Sequence, residues 1–133
     1  MKAKEVPWRK AAPAPVILVF GPQDYLANRV IRSIRDQLQA KLGQIEVERV
    51  SASDYVAGQI ANLAAPSLFA QPKFIVIDGL EKCSDDMITD GIAYLENPEP
   101  DVTLALLHDG SSVRGKKLLE AIRGSEKAAS IEV

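Results

Sequence analysis

The chain has 133 residues, 47% of them hydrophobic and 26% charged, and a formal net charge of −2. That balance fits one soluble globular domain and excludes a disordered polyanion; it also excludes tight non-specific DNA binding through an overall basic field. The single cysteine, Cys83, rules out an internal disulfide and fits a reducing compartment. No apolar run approaches the roughly 20 residues of a membrane span, and the N-terminus lacks the apolar segment of a signal peptide, so a cytoplasmic protein without a membrane partner is expected.

Residues 1–15, "MKAKEVPWRKAAPAP", read as a loosely packed tail. Three prolines break its periodicity, Lys2, Lys4, Arg9 and Lys10 make it basic, and Trp8 is its one apolar anchor. A basic segment lying near nucleic acid is the alternative reading. "VILVF" (16–20) is a continuous β-branched run, the mark of a strand covered on both faces. Gly21 and Pro22 end it. Over 24–42, Leu26, Val30, Ile31, Ile34, Leu38 and Leu42 recur at helical spacing, and Gly43 suits the C-terminal cap. "IEVERV" (45–50) alternates, as an edge strand does.

Ser53 or Asp54 is expected to cap a second helix carrying Val56, Ile60 and Leu63, which Pro66 stops. "FIVID" (74–78) is a second buried strand. Ser84 caps a helix with Ile88, Ile92 and Leu95 that stops at "NPEP" (97–100). "VTLALL" (102–107) is a third buried strand, "KKLLEAIR" (116–123) a short helix, and "ASIEV" (129–133) a fifth strand in which the chain ends. Strict alternation of strand and helix predicts an α/β fold: a parallel five-stranded sheet with helices on both faces, the three most apolar strands central and 45–50 at an edge. The layout implies a tail (1–15) and one domain (16–133), a fragment of a longer chain.

Ligands of parallel sheets sit beyond the C-terminal strand ends. A phosphate loop there reads G-x-x-x-x-G-K-[ST], its glycines freeing backbone N–H groups, its lysine supplying charge and its hydroxyl holding magnesium. After the first strand, Gly21 fits, but Leu26, Ala27 and Asn28 stand at the second glycine, lysine and hydroxyl positions, and Asp24 faces the approaching phosphate with like charge. Asp78 ends "FIVID" as a magnesium-holding aspartate would, but Gly79 follows where a hydrolase places a water-orienting glutamate; a carboxylate capping a loop is the favoured reading. His108, Asp109 and Ser111 are too close in sequence for a nucleophile–base arrangement and fit a turn built on Asp109 and Gly110. Cys83 has no second thiol with which to hold zinc. No catalytic, cofactor-binding or metal-binding residue is therefore expected. Leu68 and Phe69, adjacent on the connection after Pro66, either plug the bottom of the core or meet a partner.

Three stretches together carry a resemblance: "PVILVFGPQDYLAN", "PSLFAQPKFIVIDGLEK" and "DVTLALLHDG". From Pro15 to Val133 the sequence resembles the N-terminal domain of the delta subunit of the bacterial DNA polymerase III clamp loader. The resemblance implies a P-loop NTPase (AAA+-like) topology with strand order 5-1-4-3-2 and a degenerate nucleotide site, in a subunit that does not hydrolyse ATP. It implies a clamp-binding turn at Ser67, Leu68 and Phe69, whose apolar pair enters a pocket on the sliding clamp and helps to open it. The implied partners are the sliding clamp, the other loader subunits through domains absent here, and primer–template DNA only in the full assembly. The alternatives are an AAA+-type or other α/β nucleotide-binding domain with an ATPase or a signalling role.

Overall fold

Three apolar runs with no polar face must be covered on both sides, and the rest of the chain is arranged to do so. The computed structural model describes residues 3–66 and 68–133. Six parallel strands, β1 (Lys4–Pro7), β2 (Val16–Phe20), β3 (Glu46–Ser51), β4 (Lys73–Asp78), β5 (Val102–His108) and β6 (Ala128–Glu132), form one sheet in the order β1-β6-β2-β5-β4-β3. The expected count of five and the five-strand order are thus corrected: a sixth strand lies outside β6, in the segment read as a loose tail. Edge strands tolerate proline and carry charge, so the four residues Lys4–Pro7 have the composition of a tail and the pairing of a strand. As expected, β2, β4 and β5 are internal and the alternating β3 is an edge.

The faces are covered unequally. Helix α1 (Asp24–Leu42) covers most of one, burying Ala27, Val30, Ile31, Ile34 and Leu38 against Ile17, Val19, Phe74, Val76, Ala105 and Ile131, with Trp8 and Ala11 packed beside it. Leu42, read into that stripe, is exposed. Helices α2 (Gln59–Ala64), α3 (Asp85–Glu96) and α4 (Lys116–Arg123) cover the other, where Ile60, Met87, Leu118 and Ile122 meet Leu18, Ile75, Ile77, Leu104 and Leu106. Ser84 caps α3 as expected, its Oγ accepting from the Met87 N–H at 3.2 Å.

The start of α2 departs from expectation. Residues Ala52–Asp54 make a separate 3-10 turn, α2 begins only at Gln59 after left-handed Gly58, and Val56 is exposed. A half-buried tyrosine does what a capping side chain was expected to do. Tyr55 Oη donates to Asp90 Oδ2 on α3 (2.6 Å) and accepts from the Ile60 N–H (3.1 Å), while the Gly58 N–H donates to the same carboxylate oxygen (2.8 Å). Burial and the bond to Asp90 push the Tyr55 phenol up. The Tyr55 hydroxyl, then the Gly58 N–H, hold Asp90 below the ordinary 3.8.

Because the folded carboxylate is the better acid, its stabilisation is present above the ordinary aspartate range and is lost as pH falls through the lowered value. Tyr55→Phe is expected to cost about 1–2 kcal/mol at neutral pH in urea unfolding. The gap between variant and wild type should narrow steadily below about pH 4; a gap independent of pH would remove Asp90 from the account.

Candidate functional site

A cleft and an exposed apolar turn lie at opposite ends of the sheet. At the C-terminal strand ends is a cleft of about 420 Å³, lined among others by Gly21, Asn28, Arg49, Asp78, Lys82 and His108. Gly21 turns the chain out of β2 at φ +138, and a side chain there would run into the Val133 carbonyl. Asn28, expected at the hydroxyl position of a phosphate loop, lies on the first turns of α1, and Ala27, expected at the lysine position, is buried against the sheet.

Across the cleft reaches Arg49 from the edge strand β3. Its Nε donates to Asp78 Oδ2 at 2.9 Å, and its terminal nitrogen donates to Asn28 Oδ1 at 3.3 Å. A guanidinium thus joins the first turns of α1 to the strand-end aspartate. Asp78 is held in an ion pair, and the loop-capping role read for it is replaced by this contact across strands. Both partners are partly exposed, so the pair adds at most about 1 kcal/mol to stability. Its larger effect is on chemistry, because the Asp78 oxygen that would approach a cation already faces a positive charge.

The far wall of the cleft is also committed. His108 is buried and stacks on Phe20, with centroids 5.1 Å apart. Its Nδ1 accepts from the Gly110 N–H at 2.9 Å, so the proton sits on Nε2 and is donated to the Arg114 carbonyl at 3.0 Å. Asp109 accepts from the Ser111 N–H at 2.8 Å, and the Ser111 hydroxyl and N–H hold its carboxyl below the ordinary range. These contacts make the expected turn. Glu81, His108 and Asp109 bring possible ligand atoms within 4.8 Å of one another, but both histidine nitrogens are spent and Glu81 Oε1 accepts from the Asp109 N–H at 3.1 Å. Cys83 is a buried free thiol, pushed up chiefly by that burial.

At the other end, the connection from α2 to β4 carries the apolar pair. Leu68 is 99% exposed and Phe69 79% exposed, which rules out the core-plug reading of both. Ser67, the first residue of the expected clamp-binding turn, lies outside the described residues. Tyr25, Val56 and Val113 are exposed large apolar residues too; among the described residues, only Leu68 and Phe69 form an adjacent pair.

The base of this connection is braced. Pro66 ends α2 by forcing Ala65 into extended backbone. Lys73, opening β4, donates through Nζ to the Leu63 carbonyl at 2.9 Å, placing a cation at the C-terminal end of α2. Ala70, next to the pair, has φ 53 and is the described non-glycine residue in the left-handed region. That conformation costs an alanine about 1–2 kcal/mol and reverses the chain directly after Phe69.

Sequence reasoning located the exposed pair. It missed Arg49, whose only signal was a long cation on a strand otherwise patterned as an edge, and it missed the brace from Lys73.

No family model matches this chain, and no curated protein matches its sequence. Among solved structures it is similar to the Bacillus subtilis DNA clamp loader delta protein (YqeN), with a TM-score of 0.66 at 15% identity over 89% of this chain. The chain spans 38% of that protein's length. At such an identity the likeness is one of fold, and the fold of this chain is clamp-loader-like.

Ala70→Gly is expected to raise stability by up to about 1 kcal/mol, and Ala70→Val to lower it by more, since a β-branched residue fits the left-handed region worse than alanine. Urea midpoints of the two variants check this; equal midpoints would mean that the turn relaxes without cost.

Proposed function

We propose that this chain is the clamp-binding domain of a non-catalytic clamp-loader subunit, acting in DNA replication by opening a sliding clamp. The observation that carries the reading is the exposure of Leu68 and Phe69, side by side on a braced turn of a clamp-loader-like fold. Two adjacent large apolar side chains held in water gain by finding a pocket. Full burial contributes roughly 1.5–3 kcal/mol for each, enough for the centre of a binding hot spot. Successive residues of a tight turn point in different directions, so the pair would fill neighbouring subpockets. By resemblance Ser67, outside the described residues, is assigned to clamp binding as well.

Opening follows if this tip fits a distorted clamp interface better than a closed one, because a ligand shifts an equilibrium only by its differential affinity. Catalysis is not assigned to this chain. The position of the phosphate-loop lysine holds Ala27, and the strand-end Asp78 is engaged by Arg49. The other loader subunits would be met through further domains, and primer–template DNA in the full assembly, in the cytoplasm. Among the described residues no helix is long and apolar enough to cross a membrane.

Leu68→Ala combined with Phe69→Ala should abolish pull-down of the bacterial sliding clamp while the melting temperature stays within a degree or two of wild type, since neither side chain is buried. Retained binding, or a collapse in stability, would refute the assignment. Titration with labelled ATP and magnesium should give no saturable binding; tight binding would restore the nucleotide-binding alternative.

A further inference from the structure

Within the basic N-terminal segment, Val6, Trp8 and Ala11 pack into the core on the α1 side, and the residues around them form a surface of their own. Trp8, half-buried in a 3-10 turn after β1, packs on the α1 side of the sheet. The Arg9 guanidinium lies 5.1 Å and the Arg29 guanidinium 5.5 Å from the indole centroid. Gln37 fixes the segment to the helix, its Nε2 donating to the Ala11 carbonyl at 2.8 Å and to Ser33 Oγ at 3.1 Å. A hollow of about 250 Å³ between Trp8, Arg9, Arg29 and Ser33 continues into a shallow groove of about 450 Å³ that adds Arg32, Gln37 and Ala40. Arg29, Arg32 and Ser33 are neighbours on one helix face.

Four cations of this region, Arg9, Lys10, Arg29 and Arg32, are exposed, and among the described residues none forms an ion pair; Asp36, the groove's carboxylate, is engaged by Arg35 at 3.3 Å. In a protein of net charge −2, such a local surplus of uncompensated guanidinium is a feature to be explained. We propose that this groove binds single-stranded nucleic acid through its phosphates.

Guanidinium groups suit that ligand because their planar forks grip phosphate oxygens in pairs. Cation–π contact with Trp8 restrains two of them before any ligand arrives, which lowers the entropy lost on binding. Exposed guanidinium planes also offer stacking surfaces to splayed bases, independent of sequence. An acidic peptide would meet the same charge, but it needs an apolar anchor site, and the indole is already covered by arginine.

Trp8 is the single tryptophan, so its emission reports on the groove directly. An oligothymidylate of about 15 nucleotides should change that emission saturably in the intact protein at about 50 mM salt. The affinity should fall by 200 mM, with a log–log slope of about −2 to −3, as expected for three or four cations meeting single-strand phosphates. Arg29→Gln with Arg32→Gln should weaken binding at least tenfold and flatten the slope by about 1.4. Lys116→Gln with Lys117→Gln, an equal charge change on α4 across the sheet, should leave binding within twofold, and all variants should melt like wild type. The Leu68→Ala, Phe69→Ala protein should bind as wild type does, which separates this inference from the clamp reading. Absence of a saturable change, equal weakening by the α4 pair, or displacement by poly-glutamate as effective as by the oligonucleotide would each overturn it.

Discussion

Everything in this molecule depends on three adjacent parallel strands that are buried on both faces. β2, β5 and β4 pair in register, with Ile17 opposite Ala105 and Ala105 opposite Val76, and nearly every side chain between them is hidden from water. A parallel sheet cannot be closed by tight hairpins, so each strand must be followed by a crossover, and all the crossovers leave from one end and return at the other. Burial of the sheet therefore sorts the chain's connections into two sets. One set, at the C-terminal ends, makes the cleft; the other, at the N-terminal ends, carries Leu68 and Phe69.

The two ends are built on different principles. At the cleft, polar groups are satisfied by one another: Arg49 with Asp78 and Asn28, His108 with Arg114 and Gly110, Glu81 with Asp109. Among the described residues no buried side-chain nitrogen or oxygen lacks a partner. A site designed to receive a charged ligand normally holds donors in reserve, because each is needed when the ligand arrives. Here Arg49 and His108 are engaged within the protein, and Lys82 stands exposed at the rim. The opposite end keeps its reserve in apolar form, as two side chains left in water and held up by Ala70 and Lys73.

The sheet was legible because its signal is large and local. "VILVF", the first four residues of "FIVID" and the last four of "VTLALL" are unbroken apolar runs, and their shortness and flanking turn residues favour buried strands over helices. β1 was hidden for the converse reason: an edge strand of four residues with two charges and a proline has no pattern to show, and only pairing with β6 makes it a strand. The same distinction holds for the sites. The loop after β2 and the apolar pair are contiguous in sequence and could be read directly. Arg49 and Asp78 lie 29 positions apart, and Tyr55 and Asp90 lie 35 apart. Such contacts exist only once the register of β3 on β4, and the packing of α2 on α3, are set.

A surface that binds a partner must be free of the work of folding, or binding and stability would be selected against each other. The Leu68–Phe69 turn meets that condition: its side chains contribute no burial to either core, and the interactions that hold it in place are made by its neighbours Ala65, Ala70 and Lys73. Strain at Ala70 is tolerated because the sheet on which the turn is mounted has stability of its own to oppose it. The guanidinium groups around Trp8 meet the condition in another way, since their contacts with the indole are weak, exposed and replaceable by a phosphate. Both surfaces are thus peripheral in energy and well defined in position, and that combination is what a rigid sheet with long crossovers supplies.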